Sequence, residues 1–132
     1  MGAEFLVYDY CRRCRGKEPG EGDIVNAYDK VVVLITTSSG DEARSIADAL
    51  IGNRKAACVN IVSGIDSRYW WQGKIDSEDE NLLIVKTKAS FIDEVISLVK
   101  GIHSYEVPEI IALPIIAGNE DYLGWIEEEA WG

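Results

Sequence analysis

Val31-Val32-Val33-Leu34-Ile35 is five apolar residues in a row, four of them β-branched, and it restricts the possible folds more than any other stretch. Such residues favour a strand, and a strand points successive side chains to opposite faces. Both faces of this strand are therefore apolar, and both need cover. The next segment supplies cover for one face. Ser39-Gly40-Asp41-Glu42 has capping-box spacing, and Ala43, Ile46, Ala47, Leu50 and Ile51 fall on one stripe of a helix. Gly52-Asn53 predicts its stop, since both residues tolerate the left-handed conformation.

The same strand-then-helix logic continues along the chain. Ala57, Val59 and Ile61 alternate with Cys58 and Asn60, as on a strand with unlike faces. Gly64 predicts a bend or bulge, and the strand resumes through Tyr69-Trp70-Trp71. Neighbouring tryptophans on a strand point to opposite faces, so one of them calls for cover from a second subunit. Gly73 marks a turn, Asp76 to Glu80 read as a solvated acidic segment, and Leu82-Leu83-Ile84-Val85 read as a buried strand. Ser90 is placed to cap a helix carrying Phe91, Val95, Leu98 and Ile102 on one face. Ile110 to Ile116 form a fourth strand, and Pro114, lacking a backbone donor, puts it at a sheet edge or at a bulge. A last helix is expected from Asn119 to about Ala130, with Tyr122, Leu123, Trp125 and Ile126 inward.

The order β-α-β-β-α-β with an appended helix predicts an α+β fold, a ferredoxin-like sandwich with two helices on one face of a four-stranded antiparallel sheet. The other sheet face is left to water or a partner, and its apolar residues favour a partner. At 132 residues the chain has room for one core. Residues 1–29 show no periodicity that could bury a face and read as a flexible tail before a domain spanning 30–132; Gly2-Ala3-Glu4-Phe5 also fits a vector-derived leader.

The balance of 23 acidic against 13 basic residues, a net charge of −10, argues against nucleic acid or an anionic membrane as partner. No apolar run approaches the ~20 residues of a membrane helix, and Phe5-Leu6-Val7-Tyr8 falls short of the roughly seven residues of a signal-peptide core. Three cysteines cannot all pair within one chain, which fits a reducing compartment, and a cytoplasmic protein is expected. Cys11-Arg12-Arg13-Cys14 lacks the second pair of a zinc ribbon and the flanking strand and helix of a redox motif.

Four segments, Ala56-Ala57-Cys58-Val59-Asn60, Tyr69-Trp70-Trp71-Gln72-Gly73-Lys74, His103-Ser104-Tyr105-Glu106-Val107-Pro108-Glu109 and Asp121-Tyr122-Leu123-Gly124-Trp125, occur in one order. In this the chain resembles the CutA divalent-ion tolerance family across residues 30–129. The resemblance implies a ferredoxin-like homotrimer with a role in tolerance or binding of divalent metals, copper above all. Two departures stand out. Ser104 occupies a position where the family usually has proline, which is expected to loosen the turn slightly. Some members carry a cysteine and a second histidine linked to copper where this chain has Ile35 and Ile102, neither of which can ligate.

His103, the one histidine, is the leading candidate metal ligand, with Cys58 and Glu106 as helpers near subunit junctions. Each has a plainer reading: Cys58 as a packed thiol, His103 as a hydrogen-bonded side chain at a junction. Tyr69, Trp70 and Trp71 are expected in the trimer interface rather than in a ligand pocket. The leading function is a trimeric metal-responsive binding protein taking copper or another divalent cation, with no organic cofactor. The alternative is a PII-like regulatory or scaffold trimer that binds a small ligand between subunits, although no phosphate-cradling glycine loop appears. An enzyme using Cys58 and His103 as nucleophile and base needs the two within roughly 3 Å, and no catalysis is expected.

Overall fold

The apolar run forms the centre of the sheet. In the computed structural model, which describes residues 28–132, β1 (Lys30–Thr37) lies between β3 (Lys74–Lys88) and β4 (Ile110–Pro114), with β2 (Cys58–Trp71) on the outer side of β3. Every neighbouring pair is antiparallel. The expected tail and its Cys11–Cys14 motif fall almost wholly outside the described residues. Three helices complete the α+β fold: α1 (Gly40–Gly52), α2 (Ile92–Ile102) and the appended α3 (Glu120–Glu129).

Alternation divides β1 as its sequence predicts. Val31, Val33 and Ile35 point to one face, beside Leu83 and Val85 of β3, and are sealed by Ile46 and Leu50 of α1 and Val95 and Val99 of α2. Fully burying each such side chain is worth about 1.5–3 kcal/mol. Val32 and Leu34 point the other way and stay half-buried. At the Lys30 end of the sheet α3 gives them a neighbour. Its Glu127 bridges Lys30 (2.9 Å) and Lys88 (2.6 Å), and Ile126 is fully buried there. Leu123 is half-buried, but Tyr122 and Trp125, expected inward, remain exposed. Along the rest of that face Val62 (42% exposed), Ile111 (50%) and Leu113 (49%) are bare.

Helix ends follow local chemistry, with two corrections. Ser39 caps α1 as expected, its hydroxyl accepting the Glu42 N–H (3.1 Å). α1 stops at Gly52-Asn53 as expected, but the left-handed residue after it is Arg54 (φ 60°) rather than either of those two. Arg54 is held there by Glu129 (2.7 Å) and by the Trp131 N–H on its carbonyl, tertiary contacts that outweigh glycine's conformational advantage. Ser90 does not cap α2. It lies within a single 3-10 turn (Ala89–Phe91), and Phe91 precedes the helix with no side-chain cap.

β2 and β3 outrun the sheet. Thr37 pairs with Asn81, so beyond that point the two strands continue as a two-stranded arm. The arm starts at a bulge where the register slips between Val62 and Ile65 and Gly64 takes φ +72°, as its glycine predicts. It ends in a two-residue turn, Gln72-Gly73, with both φ values positive (50° and 79°), the form that matches strand twist. The acidic segment Asp76 to Glu80 is solvated as far as Asp79, as expected, but it is paired strand, and its last residue, Glu80, is buried.

Candidate functional site

The arm and the turn after α2 enclose an acidic cleft of about 690 Å³. Period-two geometry builds its floor. Asp76, Glu78 and Glu80 sit at alternate positions of β3, and Tyr69 and Trp71 line the cleft from β2. The far wall is the segment from Tyr105 to Glu109, which adds two more carboxylates, Glu106 and Glu109. Among the described residues, five carboxylates thus face one cation, Arg68, in the lining. Trp70, next to Trp71, is absent from the lining and is 73% exposed, so the tryptophan pair does split between faces.

Two phenols hold the floor in shape. The Tyr105 hydroxyl donates to Glu80 (2.8 Å) and approaches Glu78 (3.3 Å), and the Tyr69 hydroxyl donates to Glu78 (3.1 Å). Burial, then the negative charge of Glu80 and Glu78, pushes the Tyr105 hydroxyl well above its ordinary range, so it remains a donor.

His103 stands behind this wall. It is 8% exposed, and both ring nitrogens are engaged. Nε2 lies 2.7 Å from the Thr36 carbonyl, and Nδ1 lies 3.0 Å from the Tyr105 N–H. Those partners assign the neutral tautomer with the proton on Nε2. In this arrangement the imidazole fixes the turn to β1 and aims Tyr105 into the cleft. The next residue is tied down as well: the Ser104 N–H donates to Glu42 (2.7 Å). Proline has no such donor, so Ser104 adds a tether rather than only loosening the turn. Burial pushes the Glu42 carboxyl up, but hydrogen bonds from Ser104 and Ser38 outweigh it and leave the group below its usual range.

The three sequence-predicted ligands are not brought together within one chain. Glu106 is exposed on the cleft wall and His103 is sealed behind it. Cys58 pairs with Lys86, four residues along β3 from the Leu82 that pairs with Thr36, a separation of about 13 Å along the strand. Its half-buried thiol lies beside Asn60 (3.9 Å) and the Tyr122 hydroxyl. Among the described residues no three His, Cys, Asp or Glu side chains stand close enough to share a metal ion. Sequence reasoning missed Tyr105, Glu78 and Glu80 as a unit. Their signal was the acidic spacing at 76, 78 and 80, which is a strand period.

Comparison with known proteins places this geometry in a family. Residues 31–129 match the CutA1 divalent ion tolerance protein family. A divalent-cation tolerance protein CutA from Thermus thermophilus is 52% identical over 97 residues, 74% of this chain and 94% of that protein. The chloroplastic CutA 1 of Oryza sativa is 46% identical over 97 residues, and the chain spans only 55% of its length. A solved structure of the Thermus thermophilus protein superposes with a TM-score of 0.76 at 49% identity, over 77% of this chain and 99% of that one. Since the match spans the strands, helices and cleft just described, the chain belongs to the CutA1 divalent ion tolerance family.

Proposed function

We propose that the chain is a non-catalytic, cytoplasmic homotrimer that binds divalent cations, copper among them, at clefts completed by subunit contact. One observation carries this reading: the acidic cleft adjoins a bare apolar sheet face, yet among the described residues of one protomer there is no three-ligand metal cluster. A neighbour covering Val62, Ile111 and Leu113 buries the exposed surface and brings its own donors near the cleft. Glu106 offers oxygen from the wall. His103 ligates only by giving up Thr36 or Tyr105, and Cys58, half-buried on the outer strand, supplies sulfur from another copy. Imidazole and carboxylate suit copper(II), and thiolate suits copper(I). Equilibrium dialysis with copper, zinc and nickel, paired with sedimentation, tests the reading. Stoichiometric uptake by a trimer, reduced in His103→Ala, Cys58→Ala or Glu106→Gln, is the expected result. A trimer that takes up no metal overturns it, and uptake unchanged in His103→Ala removes that residue from the site.

The size of the cleft favours a second reading, a PII-like trimer that binds a small ligand. About 690 Å³ lies within the ~300–1,000 Å³ of small-molecule sites, and its aromatic walls resemble theirs. A thermal-shift screen separates the two, because a ligand of the native state raises its stability.

A further inference from the structure

The arm meets the sheet at one joint. Past the Thr37–Asn81 pair, residues 65–80 pair as strand only with each other. The joint is the bulge between Val62 and Ile65, where the ladder is interrupted and Gly64 takes φ +72°. An interrupted ladder with a glycine is where a two-stranded ribbon bends most easily. Among the described residues, one side chain from outside the arm reaches it with hydrogen bonds. That side chain is Tyr105, whose hydroxyl donates to Glu80 (2.8 Å) and lies 3.3 Å from Glu78. The arm's other side-chain bonds stay within it: Tyr69 with Glu78, Arg68 with Asp66, and the Ser77 N–H with Asp76. Tyr105 is in turn fixed to the body. Its ring centre lies 4.8 Å from that of His103, its N–H donates to His103 Nδ1 (3.0 Å), and His103 Nε2 donates to the Thr36 carbonyl of β1 (2.7 Å). A relay therefore runs from the central strand through His103 and Tyr105 into the arm. Its last member, Glu80, is buried, so the bond from the phenol is shielded from water. A buried carboxylate that loses its donor suffers its whole desolvation penalty, and only water can relieve it.

We propose that the Thr36–His103–Tyr105–Glu80 relay is a latch that holds the arm closed over the cleft, with the bulge at Gly64 as its hinge. While the latch is made, the arm faces the segment from Tyr105 to Glu109 across the cleft. When it breaks, the arm swings away from Tyr105, Glu80 reaches water and the cleft opens. His103 acts here as a positioning residue, since it touches the arm only through Tyr105. The latch concerns access to the cleft and depends on neither the metal nor the small-ligand reading.

Amide hydrogen exchange on the full chain, read by mass spectrometry, tests the latch. Tyr105→Phe keeps the ring and removes the hydroxyl. Because an unsupported two-stranded arm is marginal, exchange across residues 65–80 is expected to rise about tenfold or more, with β1 and α1 as protected as in the parent. Adding Glu80→Leu to Tyr105→Phe removes the stranded carboxylate. Replacing both partners by apolar groups is nearly neutral, so this double variant is expected to regain most of the lost protection. A Tyr105 that merely stabilised the fold would loosen β1 along with the arm, and no change at Glu80 would repair the loss. Three results overturn the proposal: arm exchange unchanged in Tyr105→Phe, arm and β1 exchange raised equally, or no recovery in the double variant. Sedimentation run alongside is expected to give the parent's assembly for both variants. A changed assembly assigns the loosened arm to lost subunit contact and overturns the latch as well.

Discussion

The two faces of the sheet use the same residue types for different ends. On the helix-covered face Val33, Ile35, Leu83 and Val85 are sealed inside one chain. On the opposite face Val32, Leu34 and Ile84 are half-buried, and Val62, Ile111 and Leu113 are open. Composition does not distinguish the faces, since both are aliphatic and β-branched. What differs is whether the chain carries its own cover. The first face is sealed by the chain's own helices, and the second is covered by α3 at one end only.

The largest expected effect comes from breaking the first face. Leu83→Ala removes a fully buried side chain between α1 and the sheet and should cost about 2–5 kcal/mol. Thermal unfolding should show that loss at every protein concentration. Ile111→Asp attacks the second face. In a single chain an exposed substitution costs within ~0.5 kcal/mol. In an assembly that covers Ile111 it leaves a carboxylate in an apolar contact, at roughly 2 kcal/mol or more per subunit. Sedimentation should therefore show a folded monomer. An Ile111→Asp protein that stays trimeric places the subunit contact on some other surface.

Trp70→Ala with Trp71→Ala comes next. Both side chains are largely exposed within one chain, so chain-level stability should change by less than about 1 kcal/mol. If neighbours bury them, each truncation costs ~3–5 kcal/mol of assembly. Melting temperature against protein concentration measures which applies, since subunit assembly makes it concentration-dependent. A double variant with the parent's concentration dependence removes the arm from the interface.

The clamp on α3 sharpens the comparison through pH. Hydrogen bonds from Lys88 and Lys30 hold the Glu127 carboxyl below its usual range, and Glu42 is also lowered. A depressed folded pKa gives stability that is present above the unfolded value of about 4.3 and is lost as pH falls through the folded pKa. Lys30 shifts the other way. Burial alone would lower it, but Glu127 and Asp29 raise it, so its contribution is intact below about 10.4 and lost only as pH rises through the folded value. Melting temperature should thus be flat from about pH 6 to 9 and fall on the acid side. Glu127→Gln should lower stability by roughly 1 kcal/mol at neutral pH and flatten the acid decline.

Much of this was legible in the sequence where the signal was local. The five-residue apolar run marked β1 as a strand with two apolar faces, Ser39 marked the start of α1, and Pro114 called for an edge or a bulge, of which the edge is what forms. The acidic stretch from 76 to 80 was misread because Ser77 and Asp79 are polar too, so no apolar alternation showed a strand. Its structure comes from pairing with β2, a contact that composition does not encode. His103 drew attention as a ligand because imidazole is rare here. Its Nε2 partner is a backbone carbonyl 67 residues away, and backbone groups leave no mark in a sequence. Arg54 in a left-handed conformation was hidden for the same reason, being held by Glu129 and the chain beyond α3.

The smallest effect separates the arm from both faces. Its tip is a two-residue turn in which Gln72 carries φ 50°. That conformation crowds a side chain with a Cβ, and asparagine tolerates it far better than glutamine because its short amide bonds locally to the backbone. Asn-Gly is also the preferred pair for this turn type. Gln72→Asn should therefore stabilise the hairpin by a few tenths of a kcal/mol, visible as slower amide exchange at Trp71 and Lys74. Because an isolated two-stranded arm is marginal, the gain should stay local in a monomer. In a trimer whose neighbours grip the arm it should instead raise the global melting temperature, and the difference between those outcomes reports whether the arm belongs to the chain or to the assembly.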